Sequence, residues 1–245
     1  MIRHLLVIGG QRCGTTSVAR MLEAHPEIAM ARPAKPEPKV FCDEAASAKG
    51  ATWYRSTYFP HAEPGQLLCD KSTSYLEDPA APARAAAVLG QAEVVVVLRD
   101  PVQRAVSNWR FSTRHGLETR PLDVALSENL AGPAPWDPTR TSVSPFAYLE
   151  RGRYLEHLEP WLATFPETTH VLFLDELADR PGTVPALWAA LGLDPAAGPQ
   201  RLERAVNGSA GPMPALHDGL RGKVQAYFES SDRALSARLG RALPW

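Results

Sequence analysis

Four valines and a leucine stand side by side as Val94-Val95-Val96-Val97-Leu98, and no other feature restricts the fold so strongly. Valine loses side-chain freedom in a helix and packs well on a pleated surface, so the run reads as a strand. Alternate side chains of a strand leave on opposite faces, and here every one is apolar, so both faces must be covered. Such a strand belongs in the middle of a parallel sheet between helical layers. The rest of the chain agrees with that reading. Residues 4–8 and 171–174 read as further strands and 67–69 as a short one ending at Asp70 and Lys71. Helices are expected over residues 15–25, 80–89, 101 to about 114, 154–165, 184–191 and 220–239, with an irregular helix over 45–59. Three prolines keep residues 32–39 out of regular structure, and the polar, proline-broken stretch 115–145 reads as an acceptor-binding or mobile insertion. Residues 194–214 read as a surface connection. The fold class is therefore α/β, a single domain over residues 1–245 with a mostly parallel central sheet flanked by helices.

Composition narrows the function. Twenty-six Lys and Arg against 27 Asp and Glu leave a formal net charge of -1, which argues against nucleic acid or an anionic membrane as partner. No apolar run has the length of a spanning helix or a signal-peptide core, and a cytoplasmic protein is expected. Cys13, Cys42 and Cys69 make an odd number without close metal-ligand spacing, so they read as free thiols, with a catalytic thiol as an outside alternative. The seven histidines are dispersed, and no metal site is expected.

The chemistry begins where the first strand ends, at Gly9-Gly10-Gln11-Arg12-Cys13-Gly14-Thr15-Thr16-Ser17. A turn between a buried strand and a helix aims backbone N–H groups and the positive helix end at one point, and the hydroxyls of Thr15, Thr16 and Ser17 add donors. This makes a P-loop-like nucleotide site. The spacing from Gly9 to Gly14 matches G-x-x-x-x-G-K-[ST], but Thr15 stands where that pattern has its lysine. A cation inside the loop at Arg12 replaces it. The pattern suggests one phosphate-like group at this end of the nucleotide and no triphosphate–magnesium requirement.

A second constellation follows the valine run. Arg99 leaves the carboxyl end of a central strand, where ligands of open α/β sheets bind, and Ser107 comes about two helical turns later. Arginine with a hydroxyl makes a second phosphate clamp. Asp100 is placed to cap the helix that Pro101 opens.

These residues resemble a known family. The loop at 9–17, the strand end at 98–101 with Ser107, and the intervening Glu37-Pro38-Lys39-Val40-Phe41 and Asp70-Lys71-Ser72 are similar to sulfotransferases that use 3′-phosphoadenosine 5′-phosphosulfate (PAPS). The likeness is to the branch with heparan sulfate N- and 3-O-sulfotransferases and bacterial relatives, and it spans essentially the whole chain. The resemblance implies that Arg12, Cys13, Gly14, Thr15, Thr16 and Ser17 hold the 5′-phosphosulfate and that Arg99 and Ser107 hold the 3′-phosphate. It implies in-line transfer to a hydroxyl or amine of a sugar or small metabolite, releasing 3′-phosphoadenosine 5′-phosphate (PAP), with no metal. It further implies that Glu37 takes the acceptor's proton and that Arg12 and Lys71 are the cations near the transferring group. Arg12 stands where the family commonly has lysine, and Val40 where it has an aromatic residue. Asp43 and Glu44 are the alternative bases. Residues 115–145 become an acceptor-side insertion, and the contacts usually made by a basic C-terminal segment have no counterpart in 207–214. Two other functions remain open at this point: an ATP-dependent small-molecule kinase, and a non-catalytic nucleotide-binding regulator.

Overall fold

In the computed structural model, which describes residues 2–137, 141, 144–203 and 214–245, the valine run is a strand with both faces covered. The strands are β1 (His4–Gly9), β2 (Ile28–Met30), β3 (Leu67–Lys71), β4 (Glu93–Leu98) and β5 (Thr169–Phe173). They form one five-stranded sheet in the order β2-β3-β1-β4-β5, and every pairing is parallel. The α-helices are α1 (Thr15–Glu23), α2 (Glu44–Ser47), α3 (Gly50–Tyr58), α4 (Ala81–Leu89), α5 (Pro101–Arg114), α6 (Leu122–Asn129), α7 (Tyr154–Thr164), α8 (Leu174–Asp179), α9 (Thr183–Ala190) and α10 (Asp218–Leu239). The chain divides into two compact units, Met1–Leu98 with His157–Ala205, and Arg99–Glu156 with Val206–Trp245.

The first unit holds the sheet. Odd-numbered residues of β1, β3 and β4, such as Leu5, Val7, Cys69 and Val97, face a cluster completed by Val18 and Leu22 of α1 and Leu187 and Trp188 of α9. Even-numbered residues face the other way, where His4 and Asp70 meet Tyr54 of α3. Phe41, Tyr75, Trp161 and Phe165 continue that aromatic layer. Transfer from water of this much apolar surface is what holds the layers on the sheet, at about 25 cal/mol per Å².

The second unit packs α5, α6 and α10 around Val106, Leu126, Leu149, Leu220, Val224 and Phe228. Polar anchors run through it. Arg104 is fully buried, bonds through Nη2 to the Tyr148 carbonyl, and lies 3.3 Å from Asn108 Oδ1, which also accepts from Arg151 Nη1 at 3.3 Å.

The structure corrects three expectations. Residues 28–30 add a strand at the sheet edge beyond those expected, because three residues are too short a run to show alternation. The strand expected at 67–69 continues through Asp70 and Lys71, since parallel pairing with β1 outweighs their low strand propensity. The stretch 115–145 is no plain loop: it contains α6, whose Leu122, Ala125, Leu126 and Asn129 form a buried stripe at helical spacing. Glu118, 4% exposed, ties the segment down through Arg120 and the Tyr148 hydroxyl. Residues 138–140, 142–143 and 204–213 lie outside the described residues, so the 207–214 comparison is represented only by Pro214.

Candidate functional site

The carboxyl ends of β1 and β3 carry the site. A register shift between β1 and β4 after Val7 carries the end of β1 out of even pairing, and Gly10 N–H is caught by the Val97 carbonyl at 2.8 Å. The chain then makes a tight loop with Arg12 at φ 66° and Gly14 at φ 83° before α1 starts at Thr15. Two glycines are obligatory here. A Cβ on Gly9, at φ 150°, would lie 3.0 Å from Leu76 Cβ and 3.2 Å from the Thr73 carbonyl, and one on Gly14 would lie 2.5 Å from Leu174 Cδ1. Gly14 is the N-cap of α1 and supplies no side-chain cap, so the helix presents its first backbone donors to the loop. This arrangement fits an anion. Within it Thr15 is buried, Thr16 exposed, and Arg12 and Ser17 half-buried. Cys13 is buried, its Sγ 3.7 Å from the Gln11 carbonyl and its N–H donating to the Gly10 carbonyl at 3.2 Å, so its part in the loop is to hold the turn closed.

Close approach at Gly9 brings this loop against the turn that follows β3, and there Glu37 and Lys71 meet. Lys71 Nζ is ion-paired with Glu37 Oε1, and the two side chains are 19% and 17% exposed. The other carboxylate oxygen accepts from Thr73 N at 2.9 Å and from Thr73 Oγ1 at 3.1 Å. A carboxylate fixed by three donors has a defined direction and keeps one of its four acceptor sites, on Oε1, to spare, while an ammonium in one ion pair keeps two further N–H donors. Lys39, at φ 50°, donates its N–H to Ser72 Oγ at 2.9 Å.

Beneath the pair is Asp70, with no exposed surface. Its oxygens accept from Ser72 Oγ at 2.8 Å, Tyr75 OH at 2.7 Å and Tyr54 OH at 3.1 Å. Burial pushes its carboxyl up to about 6, against the pull of the hydroxyls. Burial and the neighbouring Asp70 charge hold Tyr54, Tyr75 and the Cys69 thiol well above their ordinary values, and burial with Asp78 takes Cys42 to about 12. Neither of those thiols is a thiolate near neutrality, which removes them as nucleophiles.

The alternative bases are otherwise engaged or outside the cluster. Asp43 caps α2 by accepting from Ala46 N at 2.9 Å, and Glu44 sits exposed in that helix's first turn. Arg99 and Ser107 belong to the second unit. There the Arg99 carbonyl accepts from Tyr154 OH at 2.7 Å, its guanidinium reaches Gln103 Oε1 at 3.0 Å, and Asp100 caps α5 through Val102 N and Gln103 N. Tyr148 is buried in that unit's apolar cluster with Phe146 partly buried against it, and Trp136 is half-buried. Sequence reasoning missed Thr73 and the role of Asp70. The only signal for Asp70 was its place beside Lys71.

Among the described residues no cluster of three or more His, Cys, Asp or Glu side chains is placed to hold a metal ion, and no helix is long and apolar enough to cross a membrane. A glycine loop between a central parallel strand and a helix, without the triphosphate lysine and beside a Lys–Glu pair, defines a P-loop-like α/β protein whose loop fits an anion. Residues 3–181 match the family model described as sulfotransferase domain, and the chain belongs to that family. It is 30% identical over 191 residues to the bifunctional heparan sulfate N-deacetylase/N-sulfotransferase 1 of Caenorhabditis briggsae, covering 74% of this chain and 21% of that protein. It is 34% identical over 164 residues to the heparan sulfate glucosamine 3-O-sulfotransferase 3B1 of Mus musculus, covering 66% of this chain and 38% of that one. The chain thus spans between a fifth and two fifths of these curated relatives. The crystal structure of a sulfotransferase from Alicyclobacillus acidocaldarius shares the fold, with a TM-score of 0.79, 22% identity, and 99% and 98% of the two chains covered.

Proposed function

We propose that this protein transfers the sulfuryl group of PAPS to a hydroxyl or amine of a sugar or other small metabolite. The observation that carries the reading is the Lys71–Glu37 pair held by Thr73, on the turn that packs against Gly9 of the anion loop. PAPS supplies an activated sulfuryl group and departs as PAP. Arg12 and the backbone of Cys13 and Gly14, with Thr15, Thr16 and Ser17, hold its 5′ end, and Arg99 and Ser107 hold its 3′-phosphate. Glu37 accepts the acceptor's proton as that group becomes acidic on bonding to sulfur. Lys71 and Arg12 stabilise the negative charge that grows on the departing oxygen, Lys71 with the N–H donors its pairing to Glu37 leaves over. Guanidinium binds anions well but gives up a proton less readily than ammonium, so Arg12 acts in this reading by charge alone. Residues 115–145 choose the acceptor, the reaction needs no metal, nucleic acid or membrane, and the protein works in the cytoplasm.

The test is thermal stability with PAP, ADP and ATP, with and without magnesium. Ligand bound to the native state raises apparent stability, so PAP should raise Tm without magnesium and more than ADP does. Equal shifts for PAP and ADP would remove the 3′-phosphate clamp from the reading. A shift that requires ATP and magnesium would replace it with a kinase.

A further inference from the structure

A buried carboxylate is an expensive group, costing several kcal/mol unless its lone pairs are satisfied. Among the described residues the partners of Asp70 are three hydroxyls, which makes the use of an acid at this core position a question of what those hydroxyls do. Two of them have a second task. Ser72 Oγ accepts the N–H of Lys39 at 2.9 Å, and Tyr75 OH accepts the N–H of Phe41 at 3.5 Å. A hydroxyl has one proton and two lone pairs. An ionised carboxylate only accepts, so it takes that proton from both Ser72 and Tyr75 and leaves each of them an acceptor toward the backbone. Segment 37–41 is thereby laid along segment 71–75 at four points: Glu37 on Lys71 and on Thr73, Lys39 on Ser72, and Phe41 on Tyr75. Asparagine would fill the same volume, but its amide nitrogen must donate, and at least one hydroxyl would have to turn round.

We propose that Asp70 is a positioning residue for sulfuryl transfer, orienting the hydroxyl protons of Ser72 and Tyr75 so that the segment bearing Glu37 is held in register with Lys71. This inference rests on the functional reading above in taking Glu37 as the base. Asp70 touches no reacting atom in it; a misplacement of about an ångström in a general base is enough to cost a hundredfold in rate.

The experiment has two arms. In the first, amide hydrogen exchange is followed in wild type and Asp70→Asn, and exchange at Lys39 and Phe41 should rise about tenfold or more while amides of β1 and β4 keep their protection. In the second, PAPS-dependent transfer to a glucosamine-containing oligosaccharide is measured. Asp70→Asn should lower kcat by about 10–100-fold, with the acceptor KM and PAP affinity within about threefold, a split that general loosening of the fold would not produce. Unchanged exchange at Lys39 and Phe41, or a kcat within twofold of wild type, overturns the proposal. So does a parallel loss of kcat, PAP binding and sheet protection. Should Asp70→Asn fail to fold, Ser72→Ala carries the same test, since it removes the acceptor for Lys39 N, and an unchanged kcat there also overturns the proposal. Absence of transfer by the wild-type protein overturns the functional reading and the role in transfer with it, whereas the exchange arm reports separately whether Asp70 holds the segment.

Discussion

The anion loop and the acid cluster sit at the ends of neighbouring strands, yet they are built by opposite means. Residues 9–14 depend on side chains that are missing: Gly9 and Gly14 have no Cβ where Leu76, Thr73 and Leu174 come close, and a backbone bond to Val97 sets the turn. The acid cluster depends on side chains that are present, drawn from residues 37, 54, 70–73 and 75. A loop of the first kind tolerates little change in volume. A cluster of the second kind tolerates little change in hydrogen-bonding type.

That contrast can be broken most severely at Glu37. Glu37→Gln keeps shape and removes the proposed base, so turnover should fall about 10²–10⁴-fold with PAP affinity nearly intact. Steady-state kinetics with a PAP titration on the same protein checks both numbers; near-wild-type turnover would hand the proton to Asp43, Glu44 or solvent. Gly14→Ala makes the converse test. Its left-handed φ costs an L-residue about 1–2 kcal/mol, and the contact with Leu174 adds to it, so urea denaturation should show a loss of about 2–3 kcal/mol together with weaker PAP binding. The double variant Gly14→Ala/Leu174→Ala should depart from additivity, because trimming Leu174 relieves the crowding created by the new methyl. Strict additivity would mean that the Leu174 contact is not what glycine answers.

The smallest effect concerns His4, which shares a sheet face with Asp70 and is 1% exposed. Its Nε2 accepts from Arg55 Nε at 3.0 Å, which puts the ring's own proton on Nδ1. Burial, helped by the Arg55 charge, lowers its value from 6.5 to about 4. The folded state therefore binds this proton more weakly than the unfolded chain, and the stability His4 contributes is present above pH 6.5 and lost as pH falls toward 4. Asp70, with its value raised, works in the opposite sense between about pH 4 and 6, contributing stability that fades as pH rises. Wild type should thus lose about 1.4 kcal/mol through His4 between pH 8 and pH 5.5, and His4→Gln should flatten that part of the curve. Denaturation midpoints that shift equally with pH in both proteins would rule this out.

How far each region could be read in the sequence follows from the same contrast. The loop is local: an apolar strand, two spaced glycines and a helix with Val18, Met21 and Leu22 on one face are contiguous, and the structure reproduces them within two residues. Strand β4 and helix α5 were equally plain, because four valines and an Asp-Pro opening act through near neighbours. The motifs around Glu37 and Lys71 could be named only through resemblance to a family, since nothing in residues 32–39 says which way a carboxylate will turn. Thr73 went unnoticed because its N–H acquires its role only when two segments more than thirty positions apart are laid side by side. Helix α6 was legible and overlooked. Its spacing of Leu122, Ala125, Leu126 and Asn129 is regular, but the prolines on either side give the surrounding stretch the pattern of a loop.

Strand order also says something about time. Leu5 lies between Cys69 on one side and Glu93 on the other, so the first strand to be synthesised waits for distant segments before either flank is paired. Non-local pairings of this kind slow folding, because chain closure is paid before contacts reward it. The anchoring of Gly10 by Val97 comes later still. A nascent chain stopped before residue 97 holds every residue of the anion loop and lacks the carbonyl that gives the loop its shape.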